Sequence, residues 1–297
     1  METIQPLVSI ALCTYNGEKY LPEQLDSLIK QDYPNLEIII VDDASRDATV
    51  EIIKSCRSEK IRIKLLINES NIGFNQNFKK AIDSCNGDFI AIADQDDIWL
   101  SDKISAMMLN IKDNLLLYHD SEFIDANGFS KGKSISTLHR FVKKDCTMQL
   151  LYNNCVSGHA CLFKKSFIDI VPNVPKDMYY DWWFAYTAAC LGKLDFINLK
   201  LVKHRRHSAS TTNTDVSNSK SSRIKHLTFF NDHPLTPQTT KNLINTLLSG
   251  YDELNYKPKS VALFLTFMKH FNTIFYIRKR SIFSKINFVV KECNGNN

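Results

Sequence analysis

Five short nonpolar runs mark the first 120 positions of this 297-residue chain: Leu7–Cys13, Leu36–Val41, Ile61–Ile67, Phe89–Ala93 and Leu115–Tyr118. They are rich in Ile, Val and Leu with little polar alternation, the pattern of parallel strands covered on both faces. Amphipathic stretches lie between them and predict helices over Lys19–Lys30, Ala48–Cys56, Phe74–Cys85 and Asp102–Lys112, with Ser45 capping the second and Ser101 the fourth. This β-α-β rhythm predicts an α/β fold: a mostly parallel sheet flanked by helices, joined by right-handed crossovers.

In such sheets ligands bind beyond the carboxyl ends of the strands. The residues found there are polar: Thr14-Tyr15-Asn16-Gly17 after the first run, Asp42-Asp43-Ala44-Ser45 after the second, Asp94-Gln95-Asp96-Asp97 after the fourth. Residues 121–150 read as polar loop with a turn at Asn127-Gly128. Apolar material returns over 150–200. The expected division is an α/β domain over 1–205, a small-residue polar loop or lid over 206–222, and a helical, basic extension over 223–297.

Charge sharpens this division. Residues 200–297 hold 16 Lys and Arg against 5 Asp and Glu, a balance of +11, whereas residues 1–199 hold 21 against 27, a balance of −6. The basic end calls for an anionic partner and the acidic end for a metal. Nucleic acid is the poorest of the anionic choices, because no recognition motif accompanies the charge. The eight cysteines include no C-x-x-C pair, which excludes zinc-ribbon spacing, and Cys13, Cys56 and Cys85 sit in or beside apolar runs, so they read as buried reduced thiols in a cytoplasmic setting. The opening METIQPLVSIALC lacks the basic and long apolar regions of a signal peptide.

Asp94 and Asp96, at a strand end and two residues beyond, can point into one cleft and hold Mg²⁺ or Mn²⁺, with Asp97 capping the next helix as the plainer reading. Asp42 or Asp43 can accept hydrogen bonds from a nucleoside or cap the next helix. No G-x-G-x-x-G follows the first run and no G-x-x-x-x-G-K-[ST] is present, which disfavours dinucleotide and P-loop folds.

Taken together, Ser9–Gly17 (SIALCTYNG), Glu37–Ser45 (EIIIVDDAS) and Asp88–Trp99 (DFIAIADQDDIW) resemble family 2 glycosyltransferases of the GT-A fold. The likeness continues in Val156–Phe163 (VSGHACLF), Tyr180–Phe184 (YDWWF) and Leu201–Ser208 (LVKHRRHS), which are most like bacterial rhamnosyltransferases and related enzymes of surface-polysaccharide synthesis.

The resemblance implies roles by position. Cys13 and Tyr15 contact the nucleoside, Tyr15 by stacking; Asp43 reads the base; Asn75 lies in the loop and helix entry that approach the nucleotide. Asp94 and Asp96 form the D-x-D metal motif, Asp96 ligating directly, with His207 as a further ligand. Arg205 or Arg206 clamps the diphosphate, Asp181 is the catalytic base, and Trp182, Trp183 and His159 border the acceptor. Many relatives carry Ser, Pro or Thr at the position of Cys13, and Tyr at that of His204, whose role stays open. The implied reaction is inverting transfer from dTDP-rhamnose or a UDP-hexose to a glycan or lipid-diphosphate-linked acceptor, in O-antigen, capsule or wall synthesis. The C-terminal stretch from Val261, aromatic and basic but with no run long enough to span a bilayer, either rests on the inner membrane surface or packs on the α/β domain. The alternatives are a non-catalytic nucleotide-sugar-binding relative and a nucleotidyltransferase; the latter needs a Gly-rich basic N-terminal loop that this chain lacks.

Overall fold

The computed structural model describes residues 5–207 and 219–295. Residues 208–218, most of the expected lid, lie outside the described residues.

The chain opens with βα units: β1 (Val8–Thr14), α1 (Leu21–Ile29), β2 (Leu36–Asp42), α2 (Thr49–Ser55), β3 (Arg62–Ile67), α3 (Phe74–Asp83) and β4 (Phe89–Ala93). Then come β5 (Ile98–Trp99), α4 (Lys103–Ile111), β6 (Leu116–Ile124), β7 (Ser130–Ser134), α5 (Ile135–Leu138), β8 (Cys161–Lys164), α6 (Lys165–Ile168), α7 (Tyr180–Cys190) and β9 (Leu194–Arg205). Helices α8 (Lys220–Asp232), α9 (Gln238–Glu253), α10 (Val261–Lys269), α11 (Phe271–Ile274) and α12 (Ile282–Glu292) follow.

One nine-stranded sheet runs in the order β3-β2-β1-β4-β8-β6-β9-β5, with β7 beside β6. The first four strands in this order pair in parallel, which aligns their carboxyl ends on one edge. Beyond them β8 is antiparallel to both β4 and β6, and β9 returns parallel to β6. Every residue of β2 is buried, as its unbroken apolar sequence requires.

Three local expectations are overturned. Ser45 does not cap α2: its hydroxyl donates to Asp42 Oδ2 at 2.6 Å, and α2 starts at Thr49 with no side-chain cap. Ser101 does not cap α4, which starts after Asp102, also uncapped. The stretch from 121 is not simply loop, because β6 runs on through His119, Asp120 and Ser121, all buried. These polar residues are tolerated inside the sheet because they are partnered: Asp120 accepts the Ser136 N–H at 2.9 Å and its hydroxyl at 2.6 Å.

Helix α7, YDWWFAYTAAC, is apolar around its whole circumference and buried on nearly every face. It lies in a core that joins one sheet face (Ala11, Ile39, Ile92) to the C-terminal helices (Phe230, Leu247, Phe267, Val289). Leu25, Ile53, Ile104 and Met107 belong to the second core. All eight cysteines are free thiols. No described helix is long and apolar enough to cross a membrane.

Candidate active site

The loops after β1 and β2 are locked together. Asp42 accepts from the Thr14 hydroxyl at 2.8 Å and from the Ser45 backbone at 2.8 Å, which forces Ala44 into the left-handed region at φ 62°. Asp43 is buried and organises the next loop. Its Oδ1 accepts from Asn68 at 2.7 Å and the Ile72 N–H at 2.9 Å, its Oδ2 from the Gly73 N–H at 3.0 Å. Gly73 takes φ 84°, a turn that glycine enters without strain, and α3 begins there. Tyr15 is 45% exposed, and its backbone exchanges two hydrogen bonds with the Gln95 amide at 2.9 and 3.0 Å. Beside it the Cys13 thiol is pushed well up by burial, then by Asp94 and Asp43. Asn75 donates to the Met178 carbonyl at 2.9 Å, tying the start of α3 to the segment before α7.

After β4 the acidic residues diverge in environment. Asp94 keeps 35% of its side chain exposed, yet surrounding protein holds its carboxyl above the usual range. Burial, then Asp97 and Asp94, raises Asp96 to about 6, against the hydrogen bond from His207, whose Nε2 lies 2.7 Å from Asp96 Oδ2. Asp97 is fully buried and is not a helix cap. Its Oδ1 accepts from His204 Nδ1 and the Arg205 N–H, both at 3.0 Å, while its Oδ2 has no hydrogen-bond partner.

His159 stacks on His204 with ring centroids 4.3 Å apart, and its Nδ1 lies 3.5 Å from Asp94 and 3.7 Å from Asp97. Burial, then His204, pushes its pKa down to about 3, so it is a neutral imidazole. Burial opposes charge on His204, but Asp97 and Asp94 prevail and raise its pKa.

This chemistry fits a divalent cation. Donor atoms of Asp97, His159 and His204 all lie within 4.8 Å of one another, the unpartnered Asp97 oxygen among the carboxylate atoms on offer. Asp96 and His207 form a second donor pair beside them, nearer the surface. The sequence reading missed Asp97 as a donor. The signal was its place as the third acid in a four-residue run, set aside there in favour of capping.

The chain around Gly158 brings Asp181 to this centre. The Gly158 N–H bonds the Asp181 carboxylate, and a side chain at 158 would meet the Tyr180 hydroxyl at 2.0 Å. Asp181 sits in the first turn of α7, with Oδ1 accepting the Trp182 N–H at 2.6 Å. Burial raises its pKa to about 7 against those two hydrogen bonds, with Asp94 adding to the rise. Asp94 thus acts on both Asp96 and Asp181. Asp181 lines a cavity of about 370 Å³ together with residues of the C-terminal segment, including Arg278, Arg280 and Lys285. A larger hollow of about 650 Å³ lies at the amino end of β4, around Gly87 and Lys165, and holds none of the candidate residues.

Several sequence-predicted contacts are placed elsewhere. Arg205 is 1% exposed and its donors reach protein: the Asp96 carbonyl at 2.9 Å, the Ala126 carbonyl at 3.1 Å and Glu23 at 2.5 Å. It is a buried tie, not a free phosphate clamp; Arg206 is the exposed member of the pair. Trp183 is 3% exposed, donates to the Pro172 carbonyl and stacks on Phe230, so it packs the core and offers no face to a sugar. Trp182, 8% exposed, donates to the Leu150 carbonyl and lines the cavity by Asp181. His159, 2% exposed, faces the acidic centre.

The mixed sheet flanked by helices is the fold of GT-A glycosyltransferases. Solved structures agree on the fold. TarS residues 1–349 of S. aureus, in complex with UDP-GlcNAc, matches with a TM-score of 0.63 at 18% identity, over 90% of this chain and 81% of that one. The mannosyltransferase PcManGT of Pyrobaculum calidifontis, in complex with GDP-Man and Mn²⁺, matches at 0.60 and 15% identity, over 97% and 80%. The family model for glycosyl transferase family 2 matches residues 9–170, and the chain belongs to that family. Among curated relatives, a Haemophilus influenzae glycosyltransferase is 39% identical over 93 residues, 31% of this chain and 29% of its own length. WfgD of Escherichia coli, described as a UDP-Glc:alpha-D-GlcNAc-diphosphoundecaprenol beta-1,3-glucosyltransferase, is 33% identical over 184 residues, 59% of this chain and 68% of its own.

Proposed function

We propose that this glycosyltransferase moves a hexosyl or rhamnosyl unit, with inversion, from a UDP- or dTDP-sugar to a glycan carried on a lipid diphosphate, in surface-polysaccharide synthesis. The observation that carries the reading is the convergence of Asp94, Asp96 and Asp181, from two distant parts of the chain, around one charge centre. The UDP-glucose and lipid-diphosphate substrates in the description of WfgD support the substrate classes.

In this reading the exposed Tyr15 ring stacks on the nucleobase, with Cys13 beneath it, and Asp43 shapes the Asn71–Asn75 loop that borders the nucleotide. Arg206 replaces Arg205 as the cation facing the diphosphate. Asp96 and His207, with Asp94 and the adjoining Asp97, His159 and His204, supply the donors for Mg²⁺ or Mn²⁺. When bound, that ion neutralises negative charge growing on the leaving diphosphate. Asp181, poised near neutrality, takes the proton of the attacking hydroxyl. A single base on the face opposite the leaving group gives one displacement and hence inversion, as in inverting hydrolysis.

The C-terminal helices suit a membrane surface. Val261, Leu265 and Met268 lie along one face of α10, exposed by 69, 61 and 40%. On α12, Ile282, Phe283, Ile286 and Val290 are exposed, beside Lys285 and Lys291. Apolar faces flanked by lysines match an anionic leaflet.

The test is a panel of nucleotide-sugars with purified protein, reading nucleoside diphosphate release and the anomeric configuration of the product. Metal-dependent release with inversion is expected. Binding without turnover of any donor would favour the non-catalytic reading, and pyrophosphate release from a nucleoside triphosphate a nucleotidyltransferase.

A further inference from the structure

The cavity beside Asp181 is asymmetric in charge. Arg278, Arg280 and Lys285 line it together with the one carboxylate, Asp181. Arg223, also on the lining, is paired with Glu292, but the other three form no ion pair among the described residues. Their surroundings add more positive charge. Burial and then Arg280 lower the Arg278 pKa, burial and then Arg140 lower that of Lys285, and burial followed by Arg278 pushes His139 down to about 4. Uncompensated cations crowded against one hollow repel one another, and the arrangement favours an anion that relieves the repulsion.

The rest of the lining narrows the ligand. Phe275 and Phe288 meet edge to face, centroids 5.6 Å apart, and give the hollow an apolar side. Ser284 and Lys285 reach the cavity from α12, the helix whose other face exposes Ile282, Phe283 and Ile286. The volume, about 370 Å³, is that of a small-molecule site and not of a protein-docking groove.

We propose that this cavity is the acceptor's phosphate subsite: Arg278, Arg280 and Lys285 bind the diphosphate that joins the acceptor sugar to a prenyl chain, Phe275 and Phe288 contact the first isoprene carbons, and a hydroxyl of that sugar is directed at Asp181. Arginine pairs with phosphate oxygens through two parallel N–H bonds, which fixes orientation as well as charge. The subsite rests on the glycosyl-transfer reading for the chemistry after binding, not for binding itself.

The test therefore uses no sugar donor and no turnover. Farnesyl diphosphate, inorganic pyrophosphate and farnesol are titrated by calorimetry into full-length protein in metal-free buffer with EDTA. The variants are the triple Arg278→Gln/Arg280→Gln/Lys285→Gln and, as the charge-keeping control, Arg278→Lys/Arg280→Lys. Farnesyl diphosphate should bind the wild type, lose about tenfold or more in affinity in the triple variant, and recover part of it in the lysine variant. Binding of pyrophosphate that is lost in the triple variant supports phosphate recognition without the prenyl chain. Equal binding of farnesol and farnesyl diphosphate, equal affinity of wild type and triple variant, or no binding to the wild type overturns the proposal. Loss in the triple variant with no recovery in the lysine variant also overturns it, as a folding effect. Donor turnover failing on every nucleotide-sugar would overturn the proposed function while leaving a positive titration intact.

Discussion

His207 Nε2 lies 2.7 Å from Asp96 Oδ2, across 111 residues of sequence. The contact fastens the end of the β9 segment to the acidic loop after β4, so the carboxylate is held in place before any ion arrives. Replacing Asp96 by Asn keeps the shape and removes the charge. Asp96→Asn should lower metal-dependent turnover by about 100-fold or more, and His207→Ala should weaken metal affinity by roughly 10- to 100-fold. Nucleoside diphosphate release, followed against Mn²⁺ concentration, measures both. Activity of Asp96→Asn near that of the wild type would move the metal to the buried Asp97, His159 and His204 donors.

Arg205 and Arg206 are adjacent and should fail differently. Removing the Arg205 guanidinium leaves the Asp96 and Ala126 carbonyls and Glu23 without their donor. Arg205→Met should cost about 3 kcal/mol of stability, or roughly 6–12 °C in Tm. Arg206→Gln, at an exposed position, should leave Tm within about 2 °C and weaken donor binding several-fold. Thermal melts with a donor titration separate the two. A stable Arg205→Met protein with weakened donor affinity would restore Arg205 to the phosphate.

The exposed side chains of α10 and α12 allow the membrane reading to be tested without deleting helices that share the core. Phe283 is 81% exposed and Leu265 61%. Changing both to Gln removes about 3 kcal/mol or more of apolar burial in a bilayer and much less in the folded chain. Co-sedimentation with phosphatidylglycerol vesicles should fall by about tenfold or more, and Tm should hold. Unchanged sedimentation would mean these faces do not meet lipid.

β1, β2 and β4 were legible because nearly every residue in them is buried, so their apolar runs need no tertiary information; the edge strand β3, whose residues are exposed or half-buried, showed only through its Ile and Leu. β7, SKGKS, was not legible: four of its five residues are exposed and it is held to the sheet only by pairing with β6. The polar half of β6 hid for the opposite reason, since Asp120 and Ser121 are buried on partners supplied by later sequence, Ser136 and His159. In the candidate site, the place of Asp94 and Asp96 just past β4 was readable from the strand end, and Asp181 was singled out by motif likeness; their roles belong to the proposed function. The inward turn of Asp97, the buried tie of Arg205 and the packing of Trp183 depend on which way a side chain faces, and spacing along the chain does not encode that. The cations from Arg278 to Lys285 read only as surplus charge until folding brought them to the cavity that Asp181 also lines.

Asp181 ties chemistry to stability through one carboxyl group. Its pKa is about 7 in the fold against 3.8 when exposed, burial being the cause. As a base it works ionised, so kcat/KM for transfer should rise about tenfold per pH unit below 7 and level off above it. Asp181→Asn should remove that limb, lower kcat by about 100- to 10,000-fold and leave donor affinity largely intact. The same shift has a folding consequence. A raised carboxyl pKa means that the unfolded chain releases its proton first as pH rises. The stability that the neutral form confers is full below about pH 4, is lost between about 4 and 7, and is gone above. Asparagine does not titrate and keeps one carbonyl oxygen that can accept the Trp182 N–H. The Tm of Asp181→Asn should therefore gain on the wild type from pH 4 to 7 and hold a constant lead beyond. A Tm difference that stays level across this range, with a rate profile lacking the acidic limb, would mean that Asp181 is ionised throughout and is not the group that takes the proton.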